Sequence, residues 1–203
     1  VNTDTKIDNN QSSNEFIFVG REELDLSSES GISHYFDNND KFDIIINCAA
    51  YTQVDKAEQE VELANQINHL AVKQLASIAS KQQARLIHIS TDYVFDGESD
   101  KPYTEIDKTN PINVYGKTKL AGEKALQAVM PMNAIIIRTS WLYSEYGNNF
   151  VKTMLKLGKE RDELNVVSDQ IGSPTYATDL AKVILKIIDN KDYQDKKQPT
   201  EIY

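Results

Sequence analysis

The chain has 203 residues, with 22 Lys and Arg against 31 Asp and Glu for a formal charge of −9, and 40% of it is hydrophobic. That is enough apolar material for one large domain or two small ones with a buried core. A pI near 4.9 argues against a partner that presents a phosphate backbone, and a mean hydropathy of −0.50 with no long apolar run excludes a membrane-spanning helix.

Residues 1–14 carry only two strong hydrophobes, Val1 and Ile7, and read as a solvated helix end or loop; no charged region followed by an apolar one marks a signal peptide. Short β-branched or aromatic runs then alternate with longer amphipathic ones. Phe16–Val19, Asp43–Cys48, Arg85–Ser90 and Ala134–Arg138 predict buried strands, and Asn165–Val167 a weaker one. Near-continuous Ile and Val, rather than strict alternation, is what a parallel sheet covered on both faces requires. Ile67, Leu70, Ala71, Leu75, Ile78 and Ala79 form one stripe of a helix; Val114–Val129 and Asp179–Asp189 predict two more, and Gly147-Asn148-Asn149 opens another that runs to about Arg161. The polar tail KDYQDKKQPT ends in Glu201-Ile202-Tyr203, where a strand starts. Alternating strands and helices predict right-handed βαβ crossovers and a doubly wound α/β sheet.

The single cysteine, Cys48, cannot form an internal disulfide, which suits a reducing cytoplasm. His34, His69 and His88 are too far apart in sequence for a local zinc spacing, and no metal site is predicted. A small-molecule enzyme or a binding domain remains.

Ligands of doubly wound sheets sit beyond the carboxyl ends of the strands. Those ends carry Ala49-Ala50-Tyr51-Thr52, then Thr91-Asp92-Tyr93 running on to Gly97, then Thr139-Ser140-Trp141-Leu142-Tyr143 with the chain's one tryptophan. Ordinary loop packing explains any one of them; three together favour a site. Tyr115 and Lys119 lie four residues apart on a predicted helix, a rise of about 6 Å, so they share a face. A phenol is a poor acid at neutral pH, and a neighbouring ammonium makes it a usable proton donor. Spacing alone is weak evidence, because Tyr193 and Lys197 repeat it inside the charged tail. The position of Tyr115, on a helix following a strand that ends in Thr91, separates the two pairs. After Phe16–Val19 comes Gly20-Arg21, and a small residue beside an arginine accommodates a ribose 2′-phosphate; an exposed surface arginine is the plain alternative.

The Tyr115-x-x-x-Lys119 pair and the run Ser90–Gly97 resemble the extended short-chain dehydrogenase/reductase superfamily and, within it, the dTDP-4-dehydrorhamnose reductase family. Asn47–Glu58, Arg138–Tyr143, Gly147–Met154 and Asp169–Thr175 support the narrower resemblance, in family order over roughly residues 16 to 190. It implies a Rossmann-like fold and NADPH-dependent reduction of a dTDP-4-dehydro sugar by a cytoplasmic enzyme of dTDP-rhamnose synthesis. Tyr115 would donate the proton, Lys119 would bind the nicotinamide ribose and depress the tyrosine, and Thr91 would hydrogen-bond the substrate carbonyl. Asp92, Tyr93 and Trp141 match sugar-nucleotide positions; Arg21, Asp25, Leu26, Ala50, Tyr51 and Thr52 match cofactor positions. The resemblance leaves NADH as the alternative donor, allows Mg2+ and a homodimer, and implies neither nucleic acid nor membrane as partner. An epimerase or dehydratase of the superfamily usually has Asp-Glu where this chain has Asp92-Tyr93; a non-catalytic regulatory homologue is the other alternative.

Two departures stand out. None of the eight glycines forms G-x-G-x-x-G, the loop that cradles a pyrophosphate at a helix N-terminus. The family places that loop before Val1 and continues past Tyr203, so the first strand and the end of the substrate lobe are expected to be missing. On this reading residues 1–140 are the dinucleotide-binding domain, and 141–203 begin the sugar-nucleotide lobe.

Overall fold

The Ile and Val runs form strands where both flanks offer a ladder or a core. The structure, a computed structural model, describes residues 14–195 and 197–203. In chain order the elements are α1 (Glu29–Asp37), β1 (Ile44–Asn47), α2 (Val54–Ala57), α3 (Val61–Asn65), a π-helical turn (Gln66–Leu70), α4 (Ala71–Gln82), β2 (Arg85–Thr91), a 3₁₀ turn (Asp92–Val94), α5 (Val114–Val129), β3 (Ala134–Thr139), β4 (Leu142–Tyr143), α6 (Phe150–Glu160), β5 (Thr175–Tyr176), α7 (Ala177–Ile188), α8 (Lys191–Asp195) and β6 (Glu201–Ile202). Among the described residues, those up to Ile137 together with Lys197–Tyr203 form one compact unit, and those between Arg138 and Lys196 a second.

The first unit is built on a four-stranded sheet of order β1-β2-β3-β6. β1 pairs parallel with β2, Ile44 opposite Arg85 through Asn47 opposite His88, and β3 pairs parallel with β6. It is a doubly wound α/β fold. Val72, Ala76 and Ala79 of α4 pack with Leu86 of β2, Leu126 of α5 and Ile136 of β3 in one core cluster. A second gathers Leu26, Ile32, Phe36, Ala71 and Leu75.

Two expected strands are absent. Phe16–Val19 is irregular, with Ile17 61% exposed. A strand exists only by pairing, and no described segment offers this one a ladder. Asn165–Val167 is irregular for the same reason, its valines exposed. The expectation for residues 1–13 lies outside the described residues. The predicted helical stripe from Ile67 to Ala79 is interrupted by the π turn, which adds a residue to the register and turns Asn68 into the interior, 1% exposed. Sequence periodicity did not reveal α1, whose first turn is closed by Ser28 Oγ accepting from the Gly31 amide at 3.0 Å.

In the second unit β4 and β5 pair parallel, Leu142 opposite Thr175. Asn149 caps α6 through Oδ1, accepting from the Lys152 amide at 3.0 Å. Helix α7 buries Ile184 and Ile188. Helix α8 lies in the segment expected to be a polar tail, and Tyr193 on it is buried.

Candidate active site

Helix α5 is fixed at its start by Asn113, whose Oδ1 accepts from the Gly116 amide at 2.7 Å, and by Glu58, whose Oε1 accepts from the Val114 amide at 2.7 Å. Two glycines let it lie close to its neighbours. A Cβ on Gly116 would stand 2.1 Å from the Tyr93 carbonyl oxygen, and one on Gly122 would stand 2.1 Å from that of Asn68. No side chain fits at either position. The first turn of α5 is thereby pressed against the 3₁₀ turn that follows β2, which brings Tyr115 to Thr91.

The Tyr115 phenol is pushed above its ordinary range by burial; a hydrogen bond with the Thr91 hydroxyl pulls it down, and Asp92 and Tyr93 push it further up. Tyr93 meets Tyr115 edge-on, ring centroids 5.5 Å apart. Thr91 is 5% exposed; its Oγ1 donates to Asp92 Oδ1 at 3.1 Å and accepts from the Tyr93 amide at 3.2 Å. Burial also raises the Tyr93 phenol. Thr91, Asp92, Tyr93 and Tyr115 are one constellation.

Lys119, one helical turn below Tyr115, is 1% exposed. Its Nζ donates to the Ile89 carbonyl at 2.7 Å and stands 3.5 Å from His88 Nε2. Burial lowers the ammonium from 10.5 to about 8, against the opposing pull of Glu123 and Cys48. The groups acting on Tyr115 do not include Lys119, whose charge bears instead on the Cys48 thiol. Glu123, also 1% exposed, accepts from Ser90 Oγ at 2.5 Å.

The segment after β1 is tied to α5 by Asn68. Its Oδ1 accepts from the Tyr51 amide at 2.9 Å, and its Nδ2 donates to the Tyr51 carbonyl at 3.1 Å and to Thr118 Oγ1 at 3.2 Å. Tyr51 is buried, packs in a cluster with Tyr115, and donates its hydroxyl to Glu60 Oε2 at 2.7 Å; burial and Glu60 push it up to about 12. Ala50 beside it is half-buried and Thr52 exposed.

Of the remaining expected residues, Arg21 is exposed and pairs with Asp25, Nε to Oδ2 at 3.5 Å. The Ser27 amide, donating to Asp25 Oδ1 at 2.9 Å, holds that carboxyl below its usual range, with Arg21 a smaller cause. Leu26 is a core residue against Ile32 and Phe36. Trp141, in the second unit, is 47% exposed with a φ of 46°, a left-handed conformation unusual for a bulky residue. Its ring fills the space over Gly172, where a Cβ would stand 2.8 Å away.

Sequence reasoning passed over Asn47, Asn68, His88 and Glu123. The signal was present: each is a polar residue inside an apolar run or stripe, and a buried polar group must find a partner.

A family model described as the RmlD substrate binding domain matches residues 5–203. The chain is 49% identical over 165 residues to a dTDP-4-dehydrorhamnose reductase of Aggregatibacter actinomycetemcomitans, covering 81% of this chain and 55% of that protein. It is 57% identical over 139 residues to the Escherichia coli K12 enzyme of that name, covering 68% and 46%. A solved dTDP-4-dehydrorhamnose reductase from Bacillus anthracis, in complex with NADP, superposes with a TM-score of 0.82 at 43% identity over 91% of this chain and 63% of that one. One from Clostridium acetobutylicum gives 0.81 at 47%, over 90% and 62%. The chain thus spans about half the length of the curated relatives it matches.

Proposed function

The chain belongs to the RmlD substrate binding domain family, and from that membership we propose that the protein containing it reduces dTDP-4-dehydro-L-rhamnose to dTDP-L-rhamnose with NADPH. The observation that carries the reading is the joining of Thr91 and Tyr115 at the end of β2, with Lys119 enclosed one turn below.

The donor set fits the nicotinamide half of such a cofactor. Small residues, Ala49 and Ala50, lie after β1, and on α5 a buried cation lies one helical turn from the tyrosine. Lys119 would hold the nicotinamide ribose, Ala50, Tyr51 and Thr52 would line the pyrophosphate path, and Arg21, Asp25 and Leu26 would meet the adenosine half. When bound, the cofactor supplies the hydride. Arg21 favours NADPH over NADH, since its guanidinium is exposed and its ion pair with Asp25 is a long one.

Tyr115 works as the acid. Its raised pKa keeps the phenol protonated at neutral pH, and an alkoxide forming at the sugar C4 oxygen is a much stronger base, so transfer runs downhill once charge develops. Thr91 holds the carbonyl oxygen at that phenol. Asp92 and Tyr93 bind the sugar nucleotide, and Trp141 is assigned separately as a sugar-nucleotide contact of the second unit. We assign residues 1–140 to the dinucleotide-binding part and 141–203 to the beginning of the substrate lobe. A cytoplasmic homodimer acting without nucleic acid completes the proposal; sedimentation of the full-length protein tests the dimer. Among the described residues no three His, Cys, Asp or Glu side chains gather as a metal ion needs, and no step here uses Mg2+.

The test is turnover. Full-length protein given dTDP-4-dehydrorhamnose and NADPH should consume both in equal amounts and yield dTDP-rhamnose. Conversion without net NADPH oxidation would point to an epimerase instead, and binding without conversion to a regulatory homologue.

A further inference from the structure

His88 lies on β2 with 0% exposure, and nothing in the proposed reaction uses it. Its tautomer is readable from its neighbours. Asn47 Oδ1 accepts from the Ala49 amide at 3.1 Å. A backbone N–H only donates, so the Asn47 carboxamide has one orientation, and the group facing His88 Nδ1 at 3.1 Å is its NH2. An NH2 also only donates. Nδ1 therefore accepts, and the ring carries its proton on Nε2. Burial first, and the Lys119 charge second, hold the ring neutral, its pKa well below 6.5.

The Nε2–H faces Lys119 Nζ at 3.5 Å. An N–H aimed at an ammonium repels it, whereas the same N–H aimed at a neutral amine meets a lone pair. The sheet thus presents a donor where a charged lysine wants an acceptor. The Ile89 carbonyl accepts one lysine hydrogen at 2.7 Å. The charged and titratable groups around Lys119 are Glu123 from α5 and Cys48 from the segment after β1, both of which raise it, and on β2 His88, whose Nε2 stands 3.5 Å from Nζ.

We infer that His88, fixed by Asn47 as the Nε2–H tautomer, is a positioning residue for Lys119: it presses on the lysine from the sheet and sets the pH at which that side chain gives up its charge. The inference rests on the reading of Lys119 as the residue that would hold the nicotinamide ribose, and it adds a part to that reading. The ring touches no reacting atom; it acts through the lysine.

Two spectra of the full-length protein test it without substrate. Long-range proton–nitrogen correlation of labelled histidines should show the His88 resonances with Nε2 protonated and Nδ1 bare, unchanged between about pH 6 and pH 8. Titration of labelled lysine Cε should give Lys119 a midpoint far below ordinary lysine. In His88→Gln the amide can turn its oxygen to Nζ, and that midpoint should rise by about one pH unit. In Asn47→Leu the ring is released, its proton should move to Nδ1, and the lysine midpoint should rise likewise. The alkaline limb of kcat/KM should follow the lysine in both variants. A wild-type His88 protonated on Nδ1, or a lysine midpoint in His88→Gln that stays or falls, would overturn the inference. If His88→Gln does not fold, the wild-type spectrum and Asn47→Leu decide it. Failure to turn over the dTDP sugar would strike the proposed function while both spectra still report on His88.

Discussion

In the unit that carries the four-stranded sheet, Asn47, Asn68, His88, Ser90, Lys119 and Glu123 are all buried, and each is held by a partner. On α6, in the second unit, the pattern inverts. Helix α6 buries none of its residues, and Phe150 and Leu155 on it are 63% and 64% exposed. Enclosed polar groups are costly unless bonded, so the first unit holds its chemistry in one geometry. Apolar groups left in water add little to stability, so side chains on α6 are replaceable as far as folding is concerned. On the proposed function, the chemistry lies in the unit with the larger core while the face of α6 is dispensable for folding, and both halves of that statement can be attacked.

The largest effect is expected at Tyr115. Tyr115→Phe removes one hydroxyl from a half-buried ring, so circular dichroism should show the fold kept, while turnover falls by about 10²–10⁴-fold. Trp141→Phe, in the second unit, should cost about tenfold or less in kcat/KM, because it keeps an aromatic face and removes no proton donor. A Trp141→Phe variant slower than Tyr115→Phe would break the assignment of chemistry to the first unit.

Stability comes next. Leu126, 0% exposed in the main core cluster, should lose about 2–5 kcal/mol on truncation to alanine. Leu155→Ala on α6 should stay within about 0.5 kcal/mol of the parent. Denaturant unfolding of the two variants measures the contrast, and equal losses would mean that the exposed face of α6 is covered in the whole protein.

How far the sequence foretold this follows from where its signals come from. Three strands and the helix 114–129 stand where Ile/Val runs and an amphipathic stripe placed them, because burial on a sheet or helix face leaves a periodic trace. Phe16–Val19 has the composition of a strand without a described partner, and composition cannot report pairing. The π turn at 66–70 adds one residue to a helical register, which no 3.6-residue template registers, and it is what buries Asn68. Thr91, Tyr115 and Lys119 were legible from motif and position together. The polar ties beneath them were not, since Asn47–His88 and Asn68–Tyr51 join residues 41 and 17 apart.

A third test uses pH. The Lys119 pKa in the folded protein is about 8, against 10.5 for the free side chain. Between those values the unfolded chain binds more protons than the folded one, so folding gains stability as pH rises through that window. Below about pH 8 both states are protonated and the lysine's penalty is constant. Relative to Lys119→Met, the wild type should gain about 3 kcal/mol between pH 8 and pH 10.5. Chemical unfolding of both proteins across that range measures the difference. A flat difference would show that Lys119 is solvated, and the enclosed character of the first unit would be lost with it.

The smallest effect is expected at Tyr193, which shares with Tyr115 a lysine four positions on. The likeness ends there. Tyr115 and Lys119 lie on α5 together, whereas α8 ends at Asp195, so Tyr193 and Lys197 have no common helix to place them on one face. Tyr193 is 5% exposed, in the unit where α7 and α8 pack, and its role there is that of a packed ring. Tyr193→Phe keeps the ring and should change stability by about 1 kcal/mol at most, the net worth of a hydroxyl's hydrogen bond. Turnover should stay within about twofold, below the smallest effect general acid catalysis produces. Thermal unfolding and a kcat measurement on this one variant check both. A loss of turnover like that expected for Tyr115→Phe, with stability intact, would move the acid to Tyr193 and reverse the roles of the two units.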